Sequence, residues 1–205
     1  MNTPFLSWQR PWIDTPDLII KIIALGIFIA WQWYWIAEER KSHQEKPQTH
    51  ETKQMKWRRG ATFISGFFYY LQFFGLTIMP FYRTVNTQLI GLFFVAVGAA
   101  ICVAARRQIG ANWSHAAEYQ IKKNHELVTG GIYSYIRHPI YTGLILSSIG
   151  AEMVLSSMVV LVILIFVSGL AYFQARQEEK LLLGHFGKSY ADYMKRTKMF
   201  IPNII

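Results

Sequence analysis

The chain has 205 residues, of which 52% are hydrophobic, 16% aromatic and only 16% charged, against about 25% charged in an ordinary soluble domain. That balance excludes a water-soluble globular domain and points to lipid. The net charge of +9 raises the question of nucleic acid, but the basic residues flank apolar runs instead of forming a stripe interleaved with aromatics, so they read as membrane-orientation signals.

In chain order, Leu18 to Ile36 is a run of nineteen residues interrupted only by Lys21 and Gln32. Trp31, Trp33, Tyr34 and Trp35 cluster at its far end as an interfacial belt. The residues before it include Arg10, Asp14 and Asp17 and lack a small-residue cleavage site, so this span is expected to stay in the mature protein. Glu38 to Gly60 has the polar composition of a linker. Ala61 to Tyr82, twenty-two residues without a charge, and Leu89 to Ala105 read as spans two and three. Cys102 lies inside the latter and is expected to serve packing.

Ile140 to Phe173 carries one acid, Glu152, and has Ser156 and Ser157 at its midpoint as a turn. Each half is then a helix of about sixteen residues, roughly 24 Å, which is shorter than the usual hydrocarbon thickness. Glu152 is expected to be an interfacial acid near the turn. The fold class is therefore all-α: an integral membrane bundle of about five transmembrane helices, the last two a short hairpin, followed by a helical tail. The 205 residues form one membrane domain, with three spans in 1–105 and the chemistry in 106–205.

Lys and Arg number seven in the linker after span one, five between spans three and four, and six in the tail. The positive-inside rule places these three segments in the cytoplasm and the N-terminus outside. Arg106 and Arg107 fit that rule as orientation anchors.

Two polar strings remain. In the first, Gly130 and Gly131 permit a tight turn, and Pro139 suits the first turn of a helix, which places Arg137 and His138 at a helix start. Free amides and a bidentate guanidinium there can receive an anionic ligand group. An equally plain account has Arg137 snorkelling to lipid phosphate and His138 capping the helix. In the second, Arg176 and Glu179 are one turn apart and can pair on one helix face, with Glu178 alongside. By spacing alone this is a solvated, charge-paired helix. Phe186 and Gly187 mark a break before a short helix on which Tyr190 and Tyr193 are expected to act as interfacial anchors.

Together the two strings resemble the isoprenylcysteine carboxyl methyltransferases and their phospholipid methyltransferase relatives. The resemblance spans roughly residues 106 to 202. It rests on Asn112-Trp113-Ser114, His125-x-Leu127-Val128, Gly131-x-Tyr133, Arg137-His138-Pro139-x-Tyr141-x-Gly143 and Glu178-Glu179, followed by Phe186-Gly187-x-x-Tyr190-x-x-Tyr193. It implies an S-adenosylmethionine-dependent methyltransferase whose lipophilic substrate enters from the bilayer, while the positive-inside rule places the active site and C-terminus in the cytoplasm.

On that resemblance, Arg137 and His138 would take the cofactor carboxylate. Tyr133 and Tyr141 would lie near the sulfonium or adenine, and the backbone around His125, Leu127 and Val128 would serve the base, with Gly131 also among the cofactor-binding residues. Arg176, Glu179 and Glu178 are the candidate catalytic residues. A prenylcysteine carboxylate needs a cation such as Arg176, whereas a phospholipid amine needs a base such as Glu178 or Glu179. A sterol-reductase-like enzyme using NADPH is the alternative of another class, and a membrane scaffold a third. No metal is expected, because His115 and His125 lack zinc-like spacing.

Overall fold

The computed structural model describes residues 6–8, 15–43, 67, 70–74, 76–78, 84–113 and 126–204. Helix α1 is Thr15–His43, α2 is Val85–Ile109, α3 is Pro139–Val154, α4 is Val159–Phe186 and α5 is Lys188–Arg196. Strands β1 (Leu6–Trp8) and β2 (Leu76–Ile78) form a short antiparallel pair with Leu6 opposite Ile78. Helices α1, α2 and α4 are each long and apolar enough to cross a membrane.

Helix boundaries follow local chemistry. Thr84 and Thr87 form a capping box at the start of α2, the Thr87 amide donating to Thr84 Oγ1 at 3.1 Å. Gly110, at φ +53°, stops the helix by donating its N–H to the Arg106 carbonyl. Pro139 occupies the first turn of α3, where its missing N–H costs nothing. Gly187, also at φ +53°, separates α4 from α5.

The bundle is organised around α2 and α3, which meet along small residues. A Cβ placed on Gly98 would lie 2.6 Å from the Gly143 carbonyl oxygen, and one on Gly150 would lie 2.5 Å from that of Gly91. Cys102 is fully buried beside Gly143, in agreement with a packing role. Such close backbone approach supplies dispersion contact where lipid provides no hydrophobic drive between helices. Helix α1 packs against both partners. By contrast, Ile165, Phe166 and Phe173 of α4 are exposed, as a lipid-facing surface requires.

Three expectations change. The turn falls at Ser156 and Ser157, and α3 is the expected sixteen residues, but the next helix does not stop near Phe173: it continues for 28 residues to Phe186. Arg176, Glu178 and Glu179 therefore ride on that same long apolar helix, because no proline interrupts it before Gly187. The described part of the second run is helical at 70–73 but extended at Leu76–Ile78, while most of that run and the linker beyond His43 lie outside the described residues.

Glu152 is the third. It is buried, not interfacial, and accepts a hydrogen bond of 3.2 Å from Gln72 Nε2. Nearby, Gln88 Nε2 donates to Asp17 and to the Val154 carbonyl, the latter at 3.0 Å, and Asp17 pairs with Lys21 at 3.4 Å. These contacts gather polar groups inside the bundle, which a hydropathy profile does not register.

Candidate active site

At the opposite end of α3, the chain from Tyr135 to His138 is held by the segment after α5. The Arg137 amide donates to the Lys198 carbonyl at 2.8 Å and the His138 amide to the Met199 carbonyl at 3.0 Å. The Lys198 amide returns a bond to the Tyr135 carbonyl, making a short parallel bridge. Thr142 Oγ1 adds a bond of 3.0 Å to the Phe200 carbonyl. The C-terminal tail is thus sewn to the start of α3 by backbone groups.

Around this seam lies one ion cluster. Arg137 Nε donates to Glu179 Oε1 at 2.7 Å, and its Nη1 donates to the carbonyls of Met194 and Thr197. His138 sits between two carboxylates, with Nδ1 3.5 Å from Glu178 Oε2 and Nε2 3.5 Å from Glu179 Oε1. Its ring stacks on Tyr141 at 5.7 Å, and the Tyr141 hydroxyl donates to Glu178 Oε1. Arg176 Nη1 is 3.7 Å from Glu179 Oε2, so the expected i, i+3 pair is present. The Arg176 side chain is 52% exposed, whereas those of Glu179 and His138 are 3% and 6% exposed.

Burial alone would pull the His138 imidazole down from its ordinary value, but the Glu178 and Glu179 carboxylates beside it win and raise it. The phenol of Tyr193 is pushed up to about 12 and those of Tyr133 and Tyr190 are raised, in each case chiefly by burial. All three are neutral at ordinary pH.

Tyr190 and Tyr193 are buried, not interfacial anchors: Tyr193 Oη donates to the Tyr133 carbonyl at 2.6 Å and packs edge-on against Tyr190. Amphipathic spacing marks such residues but does not distinguish a lipid interface from a protein one. Arg106 also differs from its expected role. It is buried, lies 4.4 Å from the centre of the Trp113 ring and donates to the carbonyls of Gly110 (3.0 Å) and Glu38 (3.4 Å).

The structure brings Arg137, His138, Tyr141, Arg176, Glu178 and Glu179 together. Tyr133 is buried behind the seam. Leu127 and Val128 belong to an irregular run, Glu126 to Thr129, that leads into the 3₁₀ turn Gly131–Ser134, where Gly131 has φ +55°. His125 lies outside the described residues. Sequence reasoning missed the carbonyls of Met194 and Thr197 as partners of Arg137, since a backbone acceptor leaves no trace in residue identity.

A family model described as phospholipid methyltransferase matches residues 86–189, which is half of the chain. The chain belongs to the phospholipid methyltransferase family. Membership makes it a methyltransferase by class. Among relatives, a Protein-S-isoprenylcysteine O-methyltransferase of Dictyostelium discoideum is 26% identical over 90% of this chain and 77% of its own length. A protein of the same name from Schizosaccharomyces pombe is 33% identical over 65% of this chain, which spans only 56% of that relative. A solved structure of the eukaryotic intramembrane Ras methyltransferase, an isoprenylcysteine carboxyl methyltransferase, superposes with a TM-score of 0.68 at 20% identity, covering 95% of this chain and 70% of that one. That last likeness concerns the fold, a membrane-embedded helical bundle.

Proposed function

We propose that the chain is an S-adenosylmethionine-dependent carboxyl methyltransferase acting on the C-terminal carboxylate of an isoprenylated cysteine or a close analogue. The observation that carries this reading is the state of the ion cluster. Both oxygens of Glu178 face Tyr141 and His138, and those of Glu179 face Arg137, His138 and Arg176. Neither carboxylate is placed as a free base for a protonated amine. The half-exposed position of Arg176 at the edge of the cluster supports its reading as the receptor for an acceptor carboxylate. The names of the Dictyostelium and S. pombe relatives support the same substrate.

The residues present suit a cationic methyl donor on one observation: the buried carboxylate oxygen Glu179 Oε2, 3.7 Å from Arg176, makes no hydrogen bond among the described residues. When bound, S-adenosylmethionine supplies an electrophilic methyl group on a positively charged sulfur. Glu178 and Glu179 offer that end a negative environment, with Tyr141 and Tyr133 as neighbouring aromatic groups. His125, Leu127, Val128 and Gly131 lend backbone groups to the base, and His138 with Arg137 stands at the helix start where the donor carboxylate is received. Arg137 has a further task. Its bonds to Glu179, Met194 and Thr197 tie α3, α4 and α5 into one body, so donor and acceptor ends keep their alignment.

An acceptor carboxylate is already ionised at neutral pH and needs positioning, not deprotonation. Arg176 supplies a two-pronged contact, steadied by Glu179. The lipid chain has a place in the apolar cavity lined by Ala24, Phe28, Phe73, Val95 and Leu144, the last being three residues from Tyr141. One membrane domain holds the whole assembly, with the active site and C-terminus on the cytoplasmic side and the N-terminus outside.

The test is labelled-methyl transfer by detergent-solubilised protein to a farnesylated cysteine analogue and to a phosphatidylethanolamine. Base-labile label in the former alone is expected. Label in the amine alone overturns the reading, as does transfer to neither when donor binding is intact.

A further inference from the structure

We infer that Asn112 is a positioning residue for the methyl-donor site, an inference that rests on the assignment of residues 126–131 to the donor. Helix α2 leads into a 3₁₀ turn, Gly110–Asn112. Arg106 Nη1 donates to the Gly110 carbonyl at 3.0 Å while its guanidinium lies 4.4 Å from the centre of the buried Trp113 ring, and Trp113 packs edge-on against Trp35 of α1 at 5.7 Å. The Trp113 amide closes the turn onto the Gly110 carbonyl at 3.2 Å. From this turn Asn112 Oδ1 accepts a hydrogen bond of 3.0 Å from the Glu126 amide, fourteen residues further along the chain.

At the far end of the same run, the side chain of Gln108 from α2 comes close to Gly131. A Cβ on Gly131, which has φ +55°, would stand 2.3 Å from Gln108 Oε1. Only glycine adopts that backbone here and lets Gln108 approach so closely. Between these two points, Leu127, Val128 and Thr129 belong to neither helix nor strand. Asn112 holds one end of them by a hydrogen bond, and Gln108 lies close over Gly131 at the other. A segment that recognises a ligand through its backbone loses affinity when one attachment is cut, because ordering it then falls to the ligand.

The role requires an acceptor at residue 112, and three proteins compare its chemistry: wild type, Asn112→Asp, which keeps an acceptor oxygen, and Asn112→Leu, which does not. Calorimetry with S-adenosylhomocysteine should show about a tenfold weaker Kd for Asn112→Leu, the equivalent of about one lost hydrogen bond, and near wild-type affinity for Asn112→Asp. At saturating donor, kcat and the KM for the lipid acceptor should hold in both. Hydrogen exchange without any ligand is the independent readout: amides from Glu126 to Gly131 should exchange faster in Asn112→Leu only. Wild-type donor affinity and unchanged exchange in Asn112→Leu would overturn the inference, as would equal loss in the two variants. Faster exchange in a series where even wild type fails to bind S-adenosylhomocysteine would leave Asn112 as the anchor but remove the donor assignment of the segment, and with it the positioning role.

Discussion

At His138, burial and charge pull in opposite directions, and the charge prevails. The folded imidazole is raised above its ordinary 6.5 by Glu178 and Glu179. A raised base contributes stability that is fully present below the unfolded value and is lost as pH rises through the folded one. Thermal stability should therefore decline as pH climbs above about 6.5, and His138→Gln should flatten that dependence; parallel melting curves for the two proteins from pH 6 to 9 would count against it. Arg176 belongs to the same cluster but faces outward. Arg176→Lys keeps the charge and loses the two-pronged geometry, so turnover on a prenylcysteine analogue should drop about tenfold or more while donor Kd stays within twofold. Full activity in that variant would return Arg176 to the status of a surface charge. Arg106 behaves differently from either, since its guanidinium is buried against Trp113 and two carbonyls. Arg106→Ala should cost about 1.5–3 kcal/mol of stability, read as a lowered Tm without ligand; an unchanged Tm would restore the view of Arg106 as an orientation anchor.

Among the elements, the α2–α3 pair depends on what is missing from its side chains. At Gly98 a Cβ would meet Ser147 Oγ at 2.3 Å and the Gly143 carbonyl at 2.6 Å, so any larger residue must separate two backbones. Gly98→Val should destabilise the bundle by about 1–3 kcal/mol or more. Gly169, on α4, meets nothing within 4 Å, and Gly169→Ala should be neutral or stabilising by about 0.5–1 kcal/mol. Comparison of the two melting temperatures in one detergent checks the packing account, which fails if Gly98→Val melts with wild type. The length of α4 is equally consequential. Because one continuous helical run, with a π-helical stretch at Ile163–Val167, joins Val159 to Phe186, lipid-facing residues such as Phe166 and cluster residues such as Glu179 belong to the same element of roughly 42 Å.

For the molecule as a whole, the tail, the start of α3 and the end of α4 act as a single cap on the bundle. A ligand that binds this cap only when it is assembled stabilises the folded state by mass action. S-adenosylhomocysteine at about a hundred times its Kd should add about 2.7 kcal/mol, raising Tm by roughly 5–10 °C. No shift at millimolar ligand, together with no calorimetric heat, would remove the donor assignment. Truncation after Arg196 should abolish that shift, because it deletes Lys198, Met199 and Phe200, whose carbonyls accept the bonds from Arg137, His138 and Thr142.

Much was legible along the chain because membrane solvation acts residue by residue. Apolar runs reported α1, α2 and the α3 turn at Ser156 and Ser157, and the order of Arg137-His138-Pro139 and Glu178-Glu179 reported the family. The i, i+3 pairing of Arg176 with Glu179 followed from helix geometry alone. Tertiary structure decided the rest. Whether Arg137 looks outward or inward depends on Glu179, Met194 and Thr197, brought to it from 42 to 60 residues away. Whether Tyr190, Tyr193, Arg106 and Glu152 meet lipid, water or protein depends on which partner covers them, and a pattern of polarity records only that some boundary is present. Burial is a property of pairs of segments, whereas the sequence lists one segment at a time.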